Sequence, residues 1–415
     1  MRRARSNLLM LVWACCFAGA LIARTCAPIA ASAQSTATPA IQDTTPQGPV
    51  LTHRSASAPE AAGRRIQLDV VVTDKQGAPF FGLERNDFTL LDNKKAQGIL
   101  AFHASKENTI TSTPETPSEV ILVLDAVNGT FQEAAFAREQ TAKFLRQNGG
   151  HLAIPVSIAV FTSEGLRIQP RPSSDGNALA ALLEQASAGL QSAGSAAGSY
   201  GEIGRFQLSV KTLAAIAENE ANRPGRKMLI WIGPGWPLLG GPNMASSAQD
   251  RQRFFDVIVE LSTRLREARI ALYSVSSINP VKGNATRMPP TSAAVTAGMV
   301  SAEAPQAHRV SEGNSGAPQE LNYKEFLKGV KSARQADAGN RSLQVLAVQS
   351  GGRVLDPSND LISEISHCLA DLDAFYTISF DPPVAEHADE YHELKVVVNK
   401  PGLSARSYSG YYNHP

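Results

Sequence analysis

The stretch "ILVLDAVNGT", residues 121 to 130, carries four apolar residues into one acid, Asp125, and then into small and polar residues. An apolar run this short, ending in turn-forming residues, reads as a strand buried on both faces, as in a parallel sheet. Thr130 and Glu133 then make a Thr-x-x-Glu capping signature ahead of an apolar helical pattern, so the chain passes from strand to helix within a few residues. In an open α/β sheet, ligands bind outside the carboxyl ends of the strands. Asp125 stands at such an end, and it serves either as a working ligand or as a residue of the fold.

Outward from this point the rhythm of strand and helix repeats. Residues 131–147 have helical spacing, 151–162 contain the strand "VSIAVFT", and 175–188 form a helix. A helix over 205–219 leads to the strand "KMLIWIG". A helix over 248–268, with Phe254, Phe255, Ile258, Leu261 and Leu265 on one face, leads to the strand "IALYSVSS". Helices at 340–349 and 360–372 complete the set. Apolar strands alternating with amphipathic helices predict an α/β domain over residues 118–373, with a doubly wound, mainly parallel sheet and helices on both faces. A Gly/Ser/Ala loop at 187–204 and a long polar insertion at 278–338 interrupt it, and loops of that length are commonly functional.

The flanks follow period two. Alternation in 66–72 and 88–91, with turn residues at 74–77 and at Asp92-Asn93, predicts an antiparallel β segment over 64–106. Strands at 375–380, 393–398 and 404–408 predict another over 374–415. Each is too small to bury a two-sided core alone. The two segments are therefore expected to pair into one antiparallel β-sandwich, with the α/β domain inserted between them.

The start of the chain has three early arginines, an apolar core from Leu8 to Ile22, and Ala31-Ser32-Ala33 as a small-residue cleavage site. This describes a signal peptide over 1–33, too short in its apolar part to span a bilayer, which takes roughly 20 residues. Residues 34–63, rich in Thr, Ser, Pro and Ala, read as a flexible linker. Cleavage after Ala33 would remove four arginines and no acids, taking the formal charge from +1 to −3. It would also leave Cys368 as the one cysteine of four. The near-neutral balance excludes general attraction to nucleic acid. The expectation is an exported protein, periplasmic or extracellular, with no membrane span after cleavage and no internal disulfide.

The first loop resembles that of the von Willebrand factor A domain, whose first strand ends in Asp-x-Ser-x-Ser. A closer resemblance is to the related Acidobacterial-domain proteins, carried here by "VLDAVNGTFQEAAFAREQTAKFL", "RPGRKMLIWIGPGWP", "VQSGGRV" and "SARSYSGYY". It covers residues 66 to 412. The resemblance implies an adhesion or protein-recognition role. In the family a Mg²⁺ is held by the first acid, two serines, a threonine and a second Asp, and its open position takes an acidic residue of the partner. Here Asp125 keeps the acid, but Val127 and Gly129 occupy the serine positions. Gly233-Pro234-Gly235 stands where the second Asp would lie, and "GEIGRF" offers Glu202 and no threonine. A hard divalent ion needs several oxygens. The expectation is therefore a degenerate metal site with no cofactor. The alternative is Mg²⁺ bound through Asp125, Asn128 and Thr130.

Other chemistry is sparse. "GNSGAP" at 313–318 has no accompanying His and Asp motifs, the Gly-rich stretch 187–204 lacks a phosphate-loop ending, and there is no Gly-x-Ser-x-Gly elbow. Cys368 is expected in the core, His387 and His392 in a solvated polar turn, and Arg223, Arg226 and Lys227 on a solvated edge. Trp231 lies inside a strand and is expected to be buried. Trp236, with Pro237 and Leu238, follows it at the ligand end and is the expected partner-contact patch. The functional expectation is a non-catalytic module that recognises a protein or cell-surface ligand. An exported hydrolase with an unrecognised site is the second alternative. Oligomeric state is left open.

Overall fold

The computed structural model describes residues 65–106, 118–185, 199–236, 247–277 and 323–415. The expected signal peptide and linker, Pro237, Leu238, the loop up to residue 198 and the insertion up to residue 322, with its "GNSGAP", lie outside the described residues.

The N-terminal strands are β1 (Ile66–Thr73), β2 (Phe88–Asp92), β3 (Lys95–Gln97) and β4 (Ala101–Lys106). Between β2 and β3, Asn93 and Lys94 take left-handed φ values of 47° and 67°. This is the two-residue hairpin geometry that suits the twist of paired strands and that Asn tolerates. The central segment runs β5 (Glu119–Asp125), α1 (Phe131–Leu145), β6 (His151–Thr162), β7 (Gly165–Ile168), β8 (Ser173–Asp175), α2 (Gly176–Gln185) and α3 (Ser199–Ala221). It continues through β9 (Lys227–Ile232), α4 (Ala248–Glu267), β10 (Ile270–Val275), α5 (Leu343–Gln349) and α6 (Leu361–Leu369). The C-terminal strands are β11 (Ala374–Phe380), β12 (Glu390–Val398), β13 (Ser404–Arg406) and β14 (Gly410–Asn413).

The central sheet has the order β10-β9-β5-β6-β7, with β8 also on β6. Strands β10, β9, β5 and β6 are parallel, and β7 and β8 join β6 antiparallel. The sheet is thus mixed, with a parallel centre and an antiparallel edge. Period two along β5 divides its side chains between two cores. Val120, Leu122 and Leu124 pack with α1, α2 and α6, whereas Ile121 and Val123 pack with α3, α4 and α5. Helices therefore cover both faces. Helix α3 starts six residues before the expected Arg205, through Gly201 and Gly204. Burial of Phe206, Leu213 and Ile216 against the sheet outweighs the poor helix propensity of its first turns.

The flanking strands form two further antiparallel sheets, β13-β1-β11-β4 and β14-β12-β2-β3, each mixing strands from both ends of the chain. Ile66 faces Phe380 across β1 and β11, and Phe88 faces Val398 across β2 and β12. Leu68, Val70, Tyr376 and Ile378 of one sheet and Leu90, Leu394, Val396 and Tyr411 of the other form one hydrophobic cluster.

The join between these sheets and the central segment is polar and partly to fully buried. Arg269 places its guanidinium on Asp69 of β1, with Nε 3.2 Å from Oδ2. Asp371, 1% exposed, accepts from Tyr273 Oη at 2.7 Å and from Arg406. Arg226 corrects the expectation of a solvated basic edge: it is buried, donates to the Asp371 carbonyl at 2.8 Å, and lies 4.7 Å from the Phe375 ring centre. Lys227 is buried too, because its Nζ donates to the carbonyls of Ala268 and Arg223. His392 departs from the expected solvated turn for the same reason. It is 4% exposed, its Nδ1 lies 2.8 Å from Asp92 Oδ1, and its ring stacks on Tyr411. Cys368 is buried in the core as expected, and burial raises its thiol pKa.

Candidate functional site

Strand β5 ends at Asp125, and α1 begins six residues later at the carboxyl edge of the sheet. Thr130 caps the helix: its Oγ1 accepts from Glu133 N at 3.2 Å, and its own N–H donates to Glu133 Oε2 at 2.6 Å. The capping box read from the sequence is therefore formed, and it occupies the Thr130 hydroxyl.

The Asp125 side chain is 3% exposed, and four N–H groups converge on it. Oδ1 accepts from the backbone of Val127 and of Asn128, both at 2.9 Å. Oδ2 accepts from Asn128 Nδ2 at 2.7 Å and from Trp231 Nε1 at 2.9 Å. The carboxylate holds the turn after β5 closed and ties it to β9. Burial raises the Asp125 pKa against the opposing pull of these hydrogen bonds. Asn128 extends the network by donating to Ser209 Oγ on α3 at 2.9 Å, and Ser209 in turn donates to the Arg205 carbonyl.

These residues do not fit a hard divalent ion. Each Asp125 oxygen already accepts two hydrogen bonds, Val127 is buried in the core beside Ile121 and Val123, and Gly129 brings no oxygen. Gly233 cannot be exchanged for an acid in place, since a Cβ there would sit 2.7 Å from Asp125 Cβ. Asn128 Oδ1 is buried with no hydrogen-bond partner, the single unengaged side-chain oxygen among Asp125, Asn128 and Thr130. Among the described residues, no three His, Cys, Asp or Glu side chains converge as a metal-holding group.

Trp236 corrects the expected contact patch. It is 5% exposed and packs edge-on against Trp231 and Phe206, with ring centres 5.4 and 6.1 Å away. Gly235, at φ +88°, turns the chain so that the indole folds back over the sheet end. The ring is core, but its N–H is buried without a partner. Two residues at this edge escaped the sequence reading. Phe131, the first residue of α1, is 55% exposed. Arg341 is buried against Phe206 and Phe254. An exposed first-turn aromatic was readable from the helical pattern; nothing local marks the position of Arg341.

No protein-family model and no curated protein matches the chain. Among solved structures, the human COPII-coat protein Sec24c is similar at 8% identity with a TM-score of 0.32, over 75% of this chain and 46% of that one. The pilus adhesin SpaC from Lactobacillus rhamnosus GG is similar at 14% identity with a TM-score of 0.24, over 48% of this chain and 29% of that one. The chain thus spans less than half the length of either protein, and likeness at this level carries no argument about its role. No helix among the described residues is long and apolar enough to cross a membrane.

Proposed function

We propose that the chain is an exported, non-catalytic protein-recognition or adhesion module built on a von Willebrand A-like domain, and that it engages its partner without a bridging metal ion. The reading is supported by the mixed sheet, with β5 at its centre and helices on both faces. The observation that carries it is the state of Asp125: four internal donors consume both carboxylate oxygens at the edge where an A-like domain would present its ion. An edge without an ion leaves recognition to its side chains, held on a rigid scaffold.

Calorimetric titration of the full chain with Mg²⁺, Mn²⁺ and Ca²⁺ tests the metal-independent part. No saturable heat is expected at millimolar ion. Saturable binding that Asp125→Ala abolishes, in a variant shown to be folded by circular dichroism, would reverse it. Capture of envelope proteins with and without chelator tests the recognition part. Equal capture in both arms is expected, and a chain that captures nothing in either arm would remove the proposal.

A further inference from the structure

Strand β5 carries an acid at each end. Asp125 closes the carboxyl edge, and Glu119 opens the amino edge, level with Lys227 of β9. Glu119 is well supplied with donors. Its Oε1 accepts from Ser157 Oγ on β6 at 2.7 Å and from Arg223 Nη1 at 3.2 Å, and its Oε2 lies 3.4 Å from the same nitrogen. The other terminal nitrogen of Arg223, Nη2, donates to the Pro170 carbonyl at 2.6 Å, which ties the turn after α3 to the loop between β7 and β8.

Glu220 faces the same guanidinium from the last turn of α3 and is fully buried. Its Oε1 accepts from Asn219 Nδ2 at 2.8 Å and stands 3.6 Å from Arg223 Nη1, and its Oε2 is buried with no partner. A negative charge there meets the negative end of the helix dipole, and a buried oxygen without a donor costs more charged than neutral. The charged groups around it are Glu119 from β5, Arg223 from the turn and Lys227 from β9. Lys227 donates its ammonium to the carbonyls of Arg223 and Ala268, and Arg269, which also acts on Lys227, is paired with Asp69. Arg223 and Lys227 favour the ionised form of Glu220, Glu119 opposes it, and burial outweighs both cations.

We propose that Glu220, Glu119 and Arg223 form a proton-operated latch at the amino edge of the central sheet, closed onto Pro170 while Glu220 holds its proton and released when it ionises. With the proton in place a single anion, Glu119, holds Arg223 in the orientation that reaches Pro170. Without it two anions stand on one guanidinium, and Arg223 is drawn toward Glu220 and off the loop. Burial first and Glu119 second raise the Glu220 pKa, in keeping with this geometry. A carboxyl of this kind stabilises the closed form fully below its unfolded pKa of about 4.3, and the contribution is lost as pH rises to the folded value. The latch therefore opens on the alkaline side. It lies at the far end of β5 from Asp125 and is independent of the recognition reading.

Hydrogen exchange of the full chain, read by mass spectrometry from about pH 4 to about pH 8 and corrected for intrinsic amide chemistry, tests the latch. Segments 167–172 and 219–227 should lose protection by up to about tenfold per pH unit above about pH 4.3, levelling off once the folded value is passed. Helix α1, on the opposite face of the sheet, should show no such trend. Glu220→Gln, which mimics the protonated carboxyl, should keep both segments protected at every pH. Arg223→Gln should leave 167–172 poorly protected at every pH. The proposal is overturned by pH-independent protection in the wild-type chain, by a trend shared equally with α1, or by a wild-type profile retained in Glu220→Gln or in Arg223→Gln. The wild-type profile needs no variant, so a variant that fails to fold leaves the first two outcomes decisive.

Discussion

Trp231 on β9 donates its indole N–H to Asp125 Oδ2 at 2.9 Å, so the central tryptophan of one strand supports the terminal acid of the next. The two residues make one unit of the fold. Trp231→Phe keeps a ring in the cavity but leaves Oδ2 one donor short in a buried site. Loss of such a hydrogen bond to a charged group costs about 1.5–3 kcal/mol. Urea denaturation monitored by circular dichroism should show that loss, and a change below about 0.5 kcal/mol would mean the bond is not formed in solution.

Gly233 is packed face-on by the Asp125 side chain, and an added methyl would lie 2.7 Å from Asp125 Cβ. Because Asp125 is pinned by four hydrogen bonds, it cannot yield easily. Gly233→Ala should therefore destabilise by about 1–3 kcal/mol, the usual range for overpacking. Thermal melting reads the effect, and an unchanged melting temperature would show that the loop after β9 can move aside.

Glu220 is fully buried at the end of α3, with its Oε2 unpartnered and Arg223 3.6 Å from Oε1. Its pKa is raised by burial first and by the neighbouring Glu119 second. A carboxyl whose folded pKa lies above its unfolded value binds its proton more tightly when folded. Its contribution to stability is therefore full below the unfolded pKa of about 4.3 and is lost as pH rises through the folded value. Chemical denaturation between pH 4 and pH 7 should show Glu220→Gln gaining stability relative to wild type as pH increases. The opposite slope would contradict the shift.

Asp371 joins the central segment to the flanking sheets through Tyr273 and Arg406. Asp371→Ala strands a buried phenol and removes the partner of a half-buried guanidinium. A loss of about 2–4 kcal/mol is expected, between the cost of one charged hydrogen bond and that of a broken buried ion pair. Calorimetric melting should also show whether the transition stays single. A loss below about 1 kcal/mol would mean the join is held by its apolar contacts.

Much of the architecture was legible along the chain. The apolar run of β5, the Thr130–Glu133 capping box and the Asn93 turn are local features, and each appears where its pattern places it. The short β7–β8 excursion was not legible, because its residues are few and half exposed and it forms only by adding to the edge of β6.

The sequence by itself determined the alternation of elements, the burial of Trp231 and Cys368, and the loss of hydroxyl ligands at Val127 and Gly129, because periodicity and side-chain chemistry are written residue by residue. Only the tertiary structure decided that Arg226, Lys227 and His392 are buried, that Trp236 turns inward, and that Arg341 meets Phe206 and Phe254. A buried polar side chain is stabilised by partners that sequence neighbours rarely supply, and for His392 that partner is Asp92, 300 positions away. No local pattern encodes such a meeting; it exists once the sheets and helices have packed.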